Sequence, residues 1–202
     1  MSKKQVKISI GTLLLILILI NLPFLPGPNI LNGLGQIFFS IGQIIGTIGL
    51  LGAPIGFIWI IINKTRKLNI FRPLLFTIIF FVPLISILFL TRHLRDFSRE
   101  IGIKNGNKLV RQIEEYKLKN GNYPEHIDKT IFTIPHSSII GIDHYNYQKT
   151  ENNFEVSFTQ NVLFGFNFEI VTYNNGNEQK PQGELQTLYK TNDKNWKYEI
   201  FD

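Results

Sequence analysis

The chain has 202 residues and a formal net charge of +6, but the charge is divided unevenly along it. The first 90 residues carry Lys3, Lys4, Lys7, Lys64, Arg66, Lys67 and Arg72 and no acid, whereas the rest carries 14 basic and 15 acidic side chains. The near-neutral second part makes a poor nucleic-acid binder, which needs a concentrated basic face. The absence of cysteine rules out disulfides, thiolate metal sites and thiol nucleophiles.

Three apolar runs, near 8–25, 36–62 and 73–90, hold no ionisable side chain. An 18-residue helix spans about 27 Å, close to the ~30 Å hydrocarbon core of a bilayer. The composition therefore predicts three transmembrane helices in a 1–90 membrane domain. The first run follows three lysines, as a signal peptide would. No small-residue cleavage site follows it, so an uncleaved anchor is the favoured reading. Pro23, Pro26 and Pro28 then end the helix in a tight uncharged turn.

The second run repeats glycine every seven residues at Gly35, Gly42, Gly49 and Gly56, with Gly46 and Ala53 between them. These six residues form a small-residue stripe along one helix face, a helix-packing seam. It serves packing within the chain or, less simply, a homodimer contact. Gln43, next to Gly42, can add an interhelical hydrogen bond. Pro54 and Pro83 predict bends in the second and third helices. The absence of intramembrane charge argues against a proton relay or a charged transport path.

The positive-inside rule puts the amino terminus and residues 63–72 in the cytoplasm. Three spans then send 91–202 outside, into an extracytoplasmic domain of a plasma (inner) membrane protein. Against this, Arg92, Arg95, Arg99, Lys104 and Lys108 give five basic residues outside, to set beside the seven inside. The Lys, Asn and Ile bias fits an AT-rich bacterial genome, hence a bacterial envelope.

After Thr91, Leu94, Phe97 and Ile101 keep helical spacing, with Gly102 and Gly106 weakening the helix. Leu109, Ile113 and Tyr116 then share one face, and Asn120-Gly121 gives a C-terminal stop. Phe154, Val156 and Phe158 alternate with polar residues. Phe164, Phe166, Phe168 and Ile170 alternate with Gly165, Asn167, Glu169 and Val171. Asn174 to Asn177 is a hairpin signal, and Trp196, Tyr198 and Ile200 mark a last strand. This predicts an amphipathic helix packed on an antiparallel β-meander, a soluble α+β domain.

Leu109-Val110, Ile113-Glu114, Tyr116 and then Asn120 to Pro124 resemble the helix-to-loop junction of type IV pilins, and most of all the pseudopilins of type II secretion systems. The resemblance covers roughly 105–202 and implies a membrane-emergent helix covered by an antiparallel sheet. Those families carry a peptidase site and an early Glu at their hydrophobic helix. Here the third run opens Arg72-Pro73-Leu74-Leu75 without that Glu, so the resemblance implies a fold rather than filament assembly. Some pseudopilins bind calcium near the C-terminus; Asp193 and Asp202 are the acids available here, without a dense ligand loop.

No metal spacing links His93, His126, His136 and His144, and no hydrolase or phosphate-loop motif is present. Asp143-His144 is the nearest approach to an acid–base pair, although a turn before a strand is the simpler reading. Tyr145, Tyr147, Tyr189 and Trp196 are either a binding surface or sheet packing. The expectation is a non-enzymatic membrane protein without a cofactor that displays an interaction or assembly domain. Its partners are the lipid bilayer and another envelope protein or a second copy, with no nucleic acid. The alternative is a subunit of a transport or channel complex. A weaker third reading is an envelope enzyme using Asp143, His144 or Asp193.

Overall fold

The computed structural model describes residues 1–150, 153–163 and 167–201. The chain forms two compact units, Met1–Leu22 with Gly33–Leu94, and Pro23–Asn32 with Arg95–Asp202. The proline-rich segment that reads from sequence as a mere turn between helices is thus part of the second unit.

The first unit is helical. In α1 (Lys3–Ile20), Ser2 Oγ accepts from Gln5 N while Gln5 Oε1 accepts from Ser2 N, a reciprocal cap that holds the first turn. It is followed by α2 (Asn32–Thr65) and α3 (Phe71–Ile85). A wide π turn at Ser86–Leu90 leads on into α4 (Thr91–Asn120). The irregularity falls just after Pro83, a residue with no N–H to donate to the helix ladder. Pro54 lies inside α2, which remains one helix. The α2–α3 hairpin closes through Asn63, whose side chain donates to Asn69 O at 2.9 Å, with Lys67 in the left-handed region at φ 54.

Among the described residues two helices, not three, are long and apolar enough to cross a membrane, Asn29–Thr65 and the continuous helix Phe71–Asn120. The expected first span fails because α1 includes Lys3, Lys4 and Lys7. Its uncharged part, Ile8–Ile20, covers only about 20 Å at 1.5 Å per residue. α1 packs along α3 instead.

In the second unit, the α4 residues from Arg95 onward lie against a five-stranded antiparallel sheet. The strands are β1 (Asn146–Lys149), β2 (Phe154–Leu163), β3 (Asn167–Asn174), β4 (Tyr189–Lys190) and β5 (Trp196–Phe201). Their order is β1-β2-β3-β5-β4, so the sheet is α+β as expected but not a simple meander, because β5 lies between β3 and the edge strand β4. Leu109 and Ile113 of α4 share the core with Phe154, Val156, Phe158, Val171 and Trp196. Burying each such side chain contributes about 1.5–3 kcal/mol.

Gly102 and Gly106 do not break α4. A Cβ at Gly102 would lie 2.7 Å from the Phe158 ring, and one at Gly106 would lie 2.9 Å from the Trp196 ring. They are the positions where the helix backbone approaches the aromatic layer. Gly121, at φ +81, ends α4 with its N–H on Lys117 O at 2.8 Å.

Two sequence expectations for the sheet are corrected. The inward residues of β3 are Glu169, Val171 and Tyr173, while Phe168 is exposed and Ile170 half-buried, the reverse of the apolar alternation. A register shift between Asn161 and Leu163 disturbs the β2–β3 pairing just before this stretch. Phe164, Gly165 and Phe166 lie outside the described residues. The Asn174–Asn177 turn forms, with Asn177 N donating to Asn174 O at 3.0 Å, but it opens into a loop rather than a paired strand.

Pro23–Asn32 is fastened to the second unit through its backbone. Pro26 bridges Ile139, Ile140 N donates to Leu25 O at 3.0 Å, and Gly141 N donates to Pro23 O at 2.8 Å.

Candidate functional site

Within the helical unit the seam residues are placed as follows. Gly42 faces Ile20 of α1, Gly46 faces Pro83 and Ile87, Gly49 faces the Phe80 carbonyl, and Gly56 faces Thr77. Gly35 and Ala53 are buried. Gly52, absent from the sequence-derived stripe, faces the Phe80 ring. The seam is therefore filled by this chain's own helices. A Cβ at Gly49 would stand 2.5 Å from Phe80 O, so the α2 and α3 backbones meet there with no room for a side chain.

On the opposite side of α2, Ile37, Ile41, Ile44, Ile48, Leu51, Ile55, Ile58 and Ile62 are all exposed. Their steps of four and three trace a second stripe parallel to the small one. Near the π turn, Asn21 Nδ2 donates to Ser86 Oγ at 2.8 Å and Thr91 Oγ1 donates to Asn21 Oδ1 at 3.1 Å. This buried triad ties the end of α1 to the end of α3, so α1 runs parallel to α3. Lys3, Lys4 and Lys7 thereby lie toward the same end of the helical unit as Lys64, Arg66, Lys67 and Arg72.

The second unit holds a buried ionic network that the sequence reading missed. Glu169, with 0% exposure, accepts from Arg99 Nε at 2.6 Å and Nη2 at 2.8 Å. Gln160 Nε2 adds a bond to Glu169 Oε1 at 2.6 Å, and Ser98 Oγ donates to Gln160 Oε1. Arg95 Nε lies 3.6 Å from Glu169, and Asp96 binds Arg99 Nη1 at 2.9 Å. The Arg99 guanidinium also stacks over the Tyr198 ring at 3.8 Å. Burial opposes the Arg99 charge, but hydrogen bonding to Glu169 and the attraction of Glu169, Tyr198 and Asp96 outweigh it, so its pKa is raised. The one available signal was a single carboxylate in a strand whose other residues are apolar or neutral polar.

The residues considered for chemistry do not converge. Asp143 and His144 are exposed in the irregular segment before β1, and Asp143 accepts from Asn32 Nδ2 at 2.8 Å. Asp193 sits in the turn before β5, bonded to Asn107 and to Asn195 N. Asp202 lies outside the described residues. Tyr145 and Trp196 belong to the core, Tyr147 packs at its edge, and Tyr189 stacks on Tyr198 at 5.0 Å. Among the described residues, no group of three or more His, Cys, Asp or Glu could hold a metal ion.

Comparison with protein families, characterised proteins and solved structures finds no match to this chain.

Proposed function

We propose that the chain is a non-enzymatic integral membrane protein displaying its α+β unit outside the cytoplasmic membrane as an interaction or assembly domain. The observation that carries this reading is the inside-out pattern of α2. Small residues meet α1 and α3, and an exposed aliphatic stripe faces away. Water penalises such a surface, whereas lipid accepts it at no cost and rewards close backbone packing. In this reading α2 and α3 cross as a hairpin and α1 lies alongside α3.

The positive-inside rule supports the orientation. The seven basic residues before position 90 gather at the hairpin-turn end. Arg95 and Arg99, which weigh against it in a simple charge tally, are engaged by Glu169 and Asp96. Both chain segments that build the α+β unit join the helices at the opposite end, Pro23–Asn32 before α2 and Arg95 onward after α3. The pilin-like reading of this unit rests on the helix-Gly-Tyr-Pro junction and on the order of helix then antiparallel sheet. The transport-subunit alternative drew on the glycine seam, which the chain's own helices fill.

The cysteine-free background allows a direct test. K129C and K67C chains are treated with a membrane-impermeant maleimide in intact cells. Labelling of K129C before lysis and of K67C only after it supports the reading. The opposite pattern, or release of the chain by alkaline carbonate, sinks it.

A further inference from the structure

The sheet face turned away from α4 carries a built depression. Asn146, Ser157, Thr172 and Lys197 stand opposite one another across β1, β2, β3 and β5. Four strands at about 4.8 Å spacing make this row roughly 14 Å long. Its two central members are small, and they are flanked by Glu155 two residues before Ser157 and by Glu199 two residues after Lys197. The row forms the floor of a cavity of about 220 Å³.

The loop after β3 forms the wall and is pinned at two points. Gln179 Nε2 donates to Asn195 O at 2.7 Å and to Thr172 O at 3.3 Å. The backbone N–H groups of Gln182 and Gly183 donate to Glu199 Oε2 at 2.7 and 2.8 Å. These carbonyl acceptors fix the Gln179 amide orientation. Gln179 lines the cavity, but its Oε1 has no accessible surface and no hydrogen-bond donor among the described residues. The neutral donors and acceptors for a bound molecule are the side chains of Asn146, Gln148, Ser157, Thr172 and Gln182 along the lining.

The lining selects the class of that molecule. Two carboxylates, Glu155 and Glu199, balance two ammonium groups, Lys180 and Lys197, so no net field favours an anion or a cation. Glu199 is already occupied by its two backbone donors. Beside these balanced charges stand hydroxyl and amide groups that both donate and accept, as sugar hydroxyls do. Ile170 and Leu188 add an apolar wall, and Phe168 and Phe201 stack at 5.4 Å one step further along the same face. That pairing of polar floor and apolar edge suits the two faces of a pyranose ring. The volume lies below the ~300–1,000 Å³ of drug-sized pockets, which limits occupancy to about one ring.

We infer that this cavity is a saccharide-binding site that takes one sugar unit, alone or at the end of a chain. The inference is independent of membrane topology. The test is saturation-transfer NMR on the full chain in lipid nanodiscs. The probes are methyl β-glucoside, N-acetylglucosamine and its dimer, with alanine and succinate as zwitterionic and anionic comparators.

The expected result is transfer to a saccharide that is abolished by Ser157→Phe, which fills the floor. Thr172→Val, which removes one hydroxyl while keeping its shape, should weaken binding roughly fivefold. If Ser157→Phe loses the near-UV signature of the aromatic core, Thr172→Val decides. No transfer to any saccharide at millimolar concentration, undiminished transfer in both variants, or stronger transfer to alanine or succinate overturns the inference.

Discussion

Arg99 and Glu169, 70 residues apart, form a two-pronged pair in which Nε and Nη2 each meet one carboxylate oxygen, at 2.6 and 2.8 Å. The pair joins the start of the second unit's helix to the middle strand of its sheet, in a place where the sheet would otherwise show an aliphatic side chain. Burying both charges is costly in itself, and the gain depends on both partners being present.

Removing one partner should therefore harm the fold more than removing both. Glu169→Ala is expected to destabilise the α+β unit by about 3 kcal/mol, because the buried Arg99 Nε and Nη2 lose their acceptors and the guanidinium keeps only Asp96 at Nη1. The double change Arg99→Met with Glu169→Leu should recover most of that loss. Denaturant unfolding of the detergent-solubilised chain, followed by near-UV circular dichroism, measures both. A double variant as unstable as the single one would show that the network contributes more than charge pairing.

The seam and the outward stripe of α2 should respond oppositely to substitution. Gly49→Leu places a side chain where a Cβ alone would stand 2.5 Å from Phe80 O, and overpacking of this kind costs about 1–3 kcal/mol or more. Ile48→Ala, one residue away on the exposed stripe, should change stability little in detergent or lipid. Gly33→Ala, with nothing within 4 Å of the added methyl, should be neutral or stabilising by up to about 1 kcal/mol. Thermal unfolding of the three variants in one detergent gives the comparison.

At Gly106 two effects compete. Alanine favours helix over glycine by about 1 kcal/mol. Its methyl would lie 2.9 Å from the Trp196 ring and 3.0 Å from the Tyr145 ring, both packed in the core. Overpacking at about 1–3 kcal/mol wins. Gly106→Ala should lower the melting temperature and perturb the Trp196 near-UV bands, whereas a rise in stability would mean that the aromatic layer can yield.

Alkali should weaken the second unit as pH rises above about 10. Burial pushes the Tyr147 phenol up to about 12 and raises Tyr145 and Tyr173 above their ordinary 10. The folded state thus holds protons that the unfolded chain releases first, so stability is full below pH 10 and falls as pH rises toward 12. Ultraviolet titration of the tyrosines alongside the circular dichroism melt checks this. Ordinary ionisation of every tyrosine near pH 10 in the folded chain would contradict it.

The sequence exposed the helices and most of the strands because their periodicities are local. Phe154, Val156 and Phe158 declare their face by alternation, and Gly121 declares a helix end by its position after Asn120. The β3 face was not legible. The counter-charge that lets Glu169 turn inward comes from Arg99, a partner no local window contains, and the register shift near Leu163 leaves no compositional mark. The first helix misled for a related reason: nothing local tells whether Lys3, Lys4 and Lys7 flank the helix or form its first turns. The glycine seam was legible as a stripe, but its occupants, Ile20, Phe80 and Thr77, come from other helices. The cavity on the outer sheet face depends on a loop held by two backbone N–H groups, and backbone bonds have no sequence signature.

The backbone bonds of Pro23–Asn32 to Ile139, Ile140 and Gly141 give the second unit an interrupted ancestry along the chain. During synthesis this early segment must wait through the whole helical hairpin and α4 before its partners emerge. Closure of that long loop makes it a late, entropically slow step in assembly. An expression fragment starting at Arg95 would lack these residues and leave the N–H groups of Ile140 and Gly141 without their acceptors. Cleavage in the α2–α3 turn spares every one of these bonds, so the two pieces of such a nicked chain should remain associated through the second unit.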